Sequence, residues 1–245
     1  MKIGIFDSGV GGLTVLKSLS EKYNAEYIYI GDNKNCPYGE KTKDELLKYA
    51  IRIVNYFIQQ GISVIVIACN TCCANVLDDL RVMYNEITFI GVIESTINRF
   101  IKQNKNNVLV IGTNATVKTN IYETKLKEKN NNLVVTSLAT PLLVPLIEEG
   151  IDVKNVLDNY LEPYKDIDSI ILGCTHYKLI EDKIDRNITI INSSDCVVDN
   201  IKDFIKPVDK LKIIIYTTGD KHKFSKLSTR IIGLKAKHID VYSWA

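Results

Sequence analysis

The sequence predicts an α/β fold, built as two similar doubly wound domains with mainly parallel sheets and an active site in the cleft between them. Short apolar segments alternate with longer amphipathic ones along the 245 residues, as in a parallel sheet that helices cover on both faces. Ten apolar segments qualify as strands, more than one ordinary doubly wound sheet holds. Residues 64–71 also resemble residues 169–176, because each is an apolar strand leading to a cysteine and two hydrogen-bonding side chains.

The strand candidates are rich in Ile, Val and Tyr, and most end at a glycine or a small polar residue, which is typical of strands. In chain order they are Lys2–Asp7, Glu26–Gly31, Ser63–Cys69, Thr88–Val92, Asn107–Thr113, Leu133–Leu138, Ser169–Cys174, Ile188–Asn192, Lys212–Thr217 and His238–Tyr242. The helical candidates carry apolar residues at helical spacing. They are Leu13–Tyr23, Thr42–Gln60, Asn120–Lys129, Pro141–Glu149, Lys154–Leu161 and Asp195–Ile205.

The domain boundary is predicted near Gly91–Thr96. The first α/β domain then comprises residues 1–93 together with 208–245, because the last two strand candidates follow Pro207 and return to complete it. The second α/β domain comprises residues 94–207.

Composition excludes several classes of protein. Hydrophobic residues make up 46% and charged residues 24%, which is ordinary for a globular chain and unlike a disordered one. A net charge of +2 argues against nucleic-acid binding. The apolar runs are far shorter than the ~20 residues that span a bilayer, and no signal peptide precedes Asp7. We expect a cytoplasmic protein whose six cysteines are reduced.

Two cysteines stand at the ends of the two similar strands. Cys69 and Cys174 each follow an apolar run, and ligands of open α/β sheets bind outside the carboxyl ends of strands. Both cysteines are therefore predicted at the ligand edge of a sheet. The alternative is that both are buried packing residues, because free cysteine behaves as a small hydrophobe.

A glycine-rich loop, Asp7–Thr14, joins the first strand to the first helix. Glycines let backbone amides approach an anion at a helix N-terminus. The loop has neither nucleotide-binding glycine pattern, so we interpret it as a small-anion site in which Asp7 is a catalytic group. A purely structural tight turn is the alternative. The loop 31–39 has a similar position after the second strand, but its Pro and Gly are ordinary turn residues.

The segment Cys69-Asn70-Thr71-Cys72-Cys73 contains a C-x-x-C pattern, which raises a zinc or a redox interpretation. Cys174 and His176 could complete a zinc site, but no second C-x-x-C or closely spaced histidine pair accompanies them. The pair Cys174 and His176 also raises a cysteine hydrolase. We interpret Cys72 and Cys73 as residues that pack against the sheet.

One chemistry uses both strand-end cysteines. One thiolate would remove a proton from a stereocentre, and the other thiol would deliver a proton to the opposite face, which inverts the centre. A thiol at its reference pKa is only ~3% ionised at pH 7, so each cysteine needs an assisting group. Asp7 is the candidate for Cys69, and His176 is the candidate for Cys174.

These motifs together resemble the glutamate racemase family, within the cofactor-independent aspartate/glutamate racemase superfamily. The similar stretches are collinear from residue 5 to residue 177. They are residues 5–15, Gly31-Asp32 with Pro37-Tyr38-Gly39, 68–71, 91–94, 144–150 and 172–177.

The resemblance implies interconversion of L- and D-glutamate by the two cysteines, without cofactor or metal, in a protein that supplies D-glutamate for peptidoglycan and so for cell shape. A homodimer is also expected. Thr113 and Thr116 would hold the carboxylate side of the substrate, and Glu148 would lie near His176. The implied substrate-binding residues are Asp7, Ser8, Tyr38, Gly39, Asn70, Thr71, Thr113, Thr116, Glu148, Thr175 and His176.

The sequence departs from the family at three turns: Ser95 and Lys178 stand where proline is usual, and Thr140 where cysteine is common. None of the three is a catalytic candidate. An aspartate racemase of the same superfamily is the alternative function, since one methylene is worth only ~1–3 kcal/mol in a pocket. A catalytically dead amino-acid-binding relative is the other alternative.

Overall fold

The structure, a computed structural model, describes residues 1–185, 187–205 and 208–241. The described residues form ten strands, and each of them overlaps a predicted one. The strands are β1 Lys2–Asp7, β2 Glu26–Gly31, β3 Val64–Ile67, β4 Thr88–Gly91, β5 Asn107–Gly112, β6 Val134–Ala139, β7 Ser169–Gly173, β8 Thr189–Asn192, β9 Lys212–Thr217 and β10 Lys237–His238.

The described strands form two sheets with parallel neighbours throughout. The first sheet has the order β10-β9-β2-β1-β3-β4, and the second has the order β6-β5-β7-β8. Strands β3 and β7 are buried along their whole length, as expected for strands that helices cover on both faces. The α/β fold with mainly parallel sheets is therefore confirmed.

Ten α-helices surround the sheets in the described part of the chain. They are α1 Leu13–Lys22, α2 Lys43–Gln59, α3 Asn70–Met83, α4 Val92–Ile101, α5 Asn114–Lys118, α6 Ile121–Lys129, α7 Leu143–Glu149, α8 Lys154–Leu161, α9 Ser193–Ile201 and α10 Lys221–Ile232. Three short 3-10 helices, at Tyr38–Glu40, Thr175–Lys183 and Lys202–Phe204, connect them. None of the described helices is long and apolar enough to cross a membrane.

Four helices, α3, α4, α5 and α10, are absent from the helical candidates, and α4 and α10 show why. Helix α4 is rich in β-branched residues, which lowers its intrinsic helix propensity, but its buried face packs against α9. Helix α10 is dominated by basic residues, yet Phe224 is buried and the helix lies against α1. Its N-terminus is capped by Asp220, whose carboxylate accepts from the amides of His222 and Lys223. Packing of its buried face stabilises α4, and packing together with the Asp220 cap stabilises α10.

The last strand is shorter than predicted. Strand β10 covers Lys237–His238 instead of His238–Tyr242, because it is an exposed edge strand that pairs only with β9 among the described strands; Tyr242 lies outside the described residues. Strand β9 pairs with β2 of the N-terminal part of the chain. The domain division stays a prediction. The segment Gly91–Thr96 is the end of β4 and the start of α4, and residue 207 lies outside the described residues.

Candidate active site

The two predicted cysteines occupy equivalent places in the two sheets. In the first sheet β2 and β3 lie on opposite sides of β1, and in the second sheet β6 and β7 lie on opposite sides of β5. Each of these is a switch in strand order, where ligands of open α/β sheets bind. Cys69 follows β3 and Cys174 follows β7. Both thiols therefore stand at the switch point of their sheet.

A cavity of about 90 Å³ lies at this edge, with a wall formed by residues that follow strands of both sheets. Six predicted site residues line it, namely Ser8, Tyr38, Gly39, Thr113, Cys174 and His176. Six others are buried, namely Asp7, Cys69, Asn70, Thr71, Thr116 and Thr175. The remaining one, Glu148, has a side chain that is 18% exposed.

The Cys69 thiol is surrounded by neutral hydrogen-bonding groups. Its Sγ lies 3.7 Å from Oγ of Ser8, a residue of the cavity wall. Cys69 precedes α3, and Cys72 lies in the first turn of that helix. Burial and the charge of Asp7 raise the pKa of the Cys69 thiol, but hydrogen bonds from the Cys72 thiol and amide and from Ser8 outweigh them and lower it. A lower pKa enlarges the thiolate fraction, which is the basic form.

The Asp7 carboxylate accepts hydrogen bonds from backbone amides of its own loop. Its Oδ2 accepts from the amides of Gly9 at 3.1 Å and Gly12 at 3.0 Å, and Oδ1 accepts from Thr175 Oγ1 at 3.4 Å. The prediction that the loop amides face a ligand anion is therefore wrong for Gly9 and Gly12. Burial raises the pKa of Asp7, although the charge of His176 and the two amides oppose that shift. Asp7 thus interacts electrostatically with both halves of the site.

Cys174 contacts His176, which in turn contacts Glu148. Its Sγ lies 3.7 Å from Nδ1 of His176, and His176 Nε2 lies 3.0 Å from Oε1 of Glu148. Burial lowers the pKa of His176, but the hydrogen bonds and charges of Cys174 and Glu148 raise it well above its usual value. Burial raises the pKa of Glu148, but its contacts with His176 and Cys36 outweigh burial and lower that pKa. The two-residue offset between Cys174 and His176 does bring imidazole and thiol together.

Thr175 and His176 approach the first sheet so closely that position 11 must be glycine. A Cβ atom on Gly11 would lie 2.5 Å from Nδ1 of His176 and 2.5 Å from Oγ1 of Thr175. Both distances are far shorter than a carbon atom tolerates. The glycine-rich loop therefore serves to let the second sheet's catalytic candidates pack directly on its backbone.

Three threonine hydroxyls join the two sheets. Thr71 Oγ1 lies 3.0 Å from Thr113 Oγ1 and 3.3 Å from Thr116 Oγ1, and the last two are 3.0 Å apart. Beside them, a Cβ atom on Gly39 would lie 2.9 Å from Cβ of Thr113, so glycine allows the loop after β2 to touch the second sheet. The structure thus brings together Gly39 and the three predicted threonines.

Asn70 is held by two residues that the sequence did not single out. The hydroxyl of Tyr122 donates to Asn70 Oδ1 at 2.6 Å, and Asn70 Nδ2 donates to Ser193 Oγ at 3.1 Å. Asn70 therefore ties α3 to α6 and α9. Tyr38, by contrast, donates its hydroxyl to Asp32 at 2.5 Å, which fixes the cavity wall from behind.

The remaining cysteines differ in how close they lie to the site. Cys73 donates to the carbonyl of Ile67 at 3.2 Å and Cys196 donates to that of Asn192 at 3.1 Å, as packing residues do. Cys36 was treated only as part of a turn, yet it lines the cavity. Its position after the carboxyl end of β2 is the signal that could have identified it.

No group of three or more His, Cys, Asp or Glu side chains in the described part of the chain is arranged to hold a metal ion. Cys69 and Cys72 thus lack further ligands there for the zinc site that the C-x-x-C pattern raised. What the arrangement offers is two thiols with hydrogen-bonding partners, Cys174 in the cavity wall and Cys69 buried behind the wall residue Ser8.

The sequence of the chain matches one family of racemases, a class of isomerase. The sequence pattern of the Asp/Glu/Hydantoin racemase family covers residues 3–201, and the chain belongs to this family.

Within the family, the similar curated proteins are glutamate racemases. The glutamate racemase of Hydrogenobaculum sp. (strain Y04AAS1) is 39% identical, over 100% of this chain and 99% of that protein. The glutamate racemase of Aquifex aeolicus (strain VF5) is 37% identical, over 95% of this chain and 94% of its own. The resemblance seen in the sequence is confirmed, and the chain is an enzyme of the racemase type.

Solved structures agree. The glutamate racemase of Francisella tularensis, solved in complex with D-glutamate, superposes with a TM-score of 0.91 at 31% identity, covering 99% of this chain and 98% of that one. The aspartate racemase of Picrophilus torridus superposes with a TM-score of 0.61 at 22% identity, covering 82% of this chain and 93% of that one. The second comparison shows a common fold alone.

Proposed function

We propose that this enzyme interconverts L- and D-glutamate by acid–base catalysis with Cys69 and Cys174 as the two proton-transferring groups. The observation that carries the proposal is the equivalence of the two thiols. Each follows the strand at the switch point of its own sheet, and each has hydrogen-bonding partners suited to a proton-transfer group. Similarity to proteins named glutamate racemase over the whole chain supports glutamate as the substrate.

In one direction the Cys69 thiolate removes the Cα proton, and the Cys174 thiol gives its proton to the opposite face of the carbanion. The roles exchange in the other direction, because the reverse reaction passes through the same transition state. Hydrogen bonds from Cys72 and Ser8 stabilise the thiolate at Cys69. At Cys174 the protonated imidazole of His176, stabilised by the charge of Glu148, donates a hydrogen bond to the thiolate that forms as the thiol ionises.

The other predicted residues provide binding. Ser8, Tyr38, Gly39 and Thr113 line the cavity and would contact the substrate directly. A larger group would hold those contacts in place or meet the substrate after it enters, namely Asp7, Asn70, Thr71, Thr116 and Thr175. Because both thiols are themselves Brønsted acids and bases, the mechanism as drawn needs no cofactor or metal.

In the cell, the product D-glutamate would serve peptidoglycan synthesis, and the enzyme would act in the cytoplasm as a homodimer of two-domain chains. The domain division would follow the two sheets, with residues 1–93 and 208–245 around the first sheet and 94–207 around the second. The pairing of β9 with β2 supports the return of the C-terminal part to the first domain.

The experiment that tests the proposal is chiral analysis of L-glutamate and L-aspartate incubated with protein treated with a metal chelator, in deuterium oxide. We expect D-glutamate that carries deuterium at Cα, because the protonating thiol exchanges with solvent. Preferential turnover of L-aspartate would instead favour the aspartate racemase. Inversion with the original hydrogen retained would contradict two separate acid–base groups, and an absence of turnover with binding intact would indicate a dead relative.

A further inference from the structure

A third thiol, that of Cys36, contacts Glu148, the residue that His176 links to Cys174. Cys36 lies in the loop after β2, is half-buried and lines the cavity. Its Sγ lies 3.7 Å from Oε1 of Glu148, the same oxygen that lies 3.0 Å from Nε2 of His176. One carboxylate oxygen therefore has a donor from each sheet.

The backbone of the glycine-rich loop Asp7–Thr14 also packs against Oε1 of Glu148. A Cβ atom on Gly9 would lie 2.7 Å from Oε1 of Glu148 and 3.4 Å from Sγ of Cys36. The carboxylate is thus packed between the Gly9 backbone, the Cys36 thiol and the His176 ring. These contacts restrain Oε1 of Glu148, and through it the orientation of the His176 imidazole.

The chemistry of Cys36 suits a donor and not a base. Burial raises the pKa of its thiol, and the neighbouring charge of Glu148 raises it further. The thiol therefore keeps its proton while Glu148 stays ionised, and a hydrogen bond to an ionised acceptor is stronger than one between neutral groups. Of the cysteines in the cavity wall, only Cys174 is left to exchange protons with a substrate.

We infer that Cys36 is a positioning residue, whose thiol donates to Glu148 and thereby holds His176 in line with Cys174. The inference rests on the proposed function for its kinetic consequences, while the contact itself can be tested without activity. Cys36 moves no proton to or from the substrate in this role. It acts on Cys174 alone, because Cys69 has its own neutral partners on the other side of the site.

The test compares Cys36→Ala, which removes the donor, with Cys36→Ser, which keeps one. We expect the alanine variant to turn over glutamate about five- to tenfold more slowly, because loss of the bond weakens but does not remove the contact between Glu148 and His176, and the serine variant to recover most of that loss. Equal rates in the alanine variant and the wild type would overturn the inference. Equal losses in both variants would also overturn it, because they would indicate that the shape of the side chain, and not its hydrogen-bond donor, determines the rate.

A second readout separates positioning from a merely structural role. Because L- and D-glutamate have equal free energies, kcat/KM must change equally in both directions, and asymmetry shows only in primary deuterium isotope effects and in kcat and KM separately. The enantiomer that still exchanges its Cα hydrogen with solvent in Cys174→Ser is the one that Cys69 deprotonates. The isotope effect of Cys36→Ala should change for the other enantiomer, and a change of equal size for both would contradict the inference.

A third readout is independent of the reaction. Carbon-13 NMR of the Glu148 carboxyl, assigned with Glu148→Gln, should show a higher pKa in Cys36→Ala than in the wild type, and an intermediate one in Cys36→Ser. An unchanged pKa would overturn the contact even in an active enzyme. If Cys36→Ala raises the Glu148 pKa but the wild type racemises neither glutamate nor aspartate, the contact is upheld and the proposed function is rejected.

Discussion

The two halves of the site solve the same problem with different physics. Both present a cysteine after an apolar strand, at the switch point of a parallel sheet. The Cys69 thiol has the neutral donors Ser8 and Cys72, whereas Cys174 leads into a buried imidazole and a carboxylate. Hydrogen bonds from neutral donors depend little on pH, while the contact between His176 and Glu148 is strong only where both partners are charged. Similar strands therefore do not imply similar assistance.

The difference has a local cause. Cys69 is followed by the regular helix α3, whose first-turn amide and side chain at Cys72 face back toward the thiol. Cys174 is followed by the 3-10 helix Thr175–Lys183. There the backbone turns so that the side chain two residues later, His176, reaches the thiol.

The largest effect should come from removing either thiol. Cys69→Ser and Cys174→Ser should each lower racemisation by at least about 100-fold, because a hydroxyl is a far weaker base than a thiolate at neutral pH. Chiral analysis of glutamate checks this. Cys196→Ser, which changes a buried cysteine that packs on the carbonyl of Asn192, is the control and should be much milder. Survival of near wild-type turnover in either variant would contradict the two-thiol mechanism.

The next effect separates the halves by charge. Glu148→Gln removes the charge that raises the pKa of His176, and burial then favours the neutral imidazole. We expect kcat to fall about 10- to 100-fold and the pKa of His176 to drop, as measured by imidazole NMR with His176→Asn for assignment. Glu149→Gln, which changes an exposed neighbour paired with Lys223, is the matched control. An unchanged His176 pKa would contradict the charged assistance.

The same variant should alter stability in a defined direction. A raised pKa means that the folded wild type gains stability from protonated His176 at low pH, fully below about 6.5, and loses it as the pH rises through the raised value. Glu148, with a lowered pKa, contributes above its ordinary pKa and loses that contribution as the pH falls through the lowered value. In Glu148→Gln the alkaline loss should move to lower pH and the acid loss should disappear. Unfolding midpoints across the pH range would check both.

The smallest effect belongs to the neutral half. Cys72→Ala removes one donor to Cys69, so the pKa of Cys69 should rise and turnover at neutral pH should fall about two- to tenfold. Thiolate absorbance, with Cys69→Ser as the blank, would report that pKa. Cys73→Ala is the control because its thiol bonds to the carbonyl of Ile67. A loss as large as that of Glu148→Gln would mean that the halves are not assisted differently.

Apolar runs were enough to predict the sheets, because parallel strands buried on both faces leave a continuous apolar pattern. Both thiols were predicted at strand ends for the same reason. Helix α4 was not predicted, because the segment Gly91–Thr96 at its start was interpreted as the domain boundary. Packing against α9, which sequence spacing does not report, decides its conformation.

The sequence predicted those parts of the candidate site that lie directly after a single strand. The glycine loop was correctly placed at the end of β1, but its amides at Gly9 and Gly12 bind Asp7 itself, a preference that depends on the loop's fold. Cys36 and Tyr122 reach the site through contacts with Glu148 and Asn70, which lie 112 and 52 residues away in the chain. Apart from the position of Cys36 after the carboxyl end of β2, local sequence gives no sign of these long-range contacts.

The threonine cluster, Thr71, Thr113 and Thr116, joins the two sheets beside the cavity. Two of its three hydrogen bonds cross between the sheets, while the bond between Thr113 and Thr116 lies within the second. A neutral hydrogen bond contributes only about 0.5–1.5 kcal/mol net, because water can take the place of either partner. The two crossing bonds are therefore contacts that water could replace at little cost in free energy, whereas an apolar contact in their place would be costlier to rehydrate.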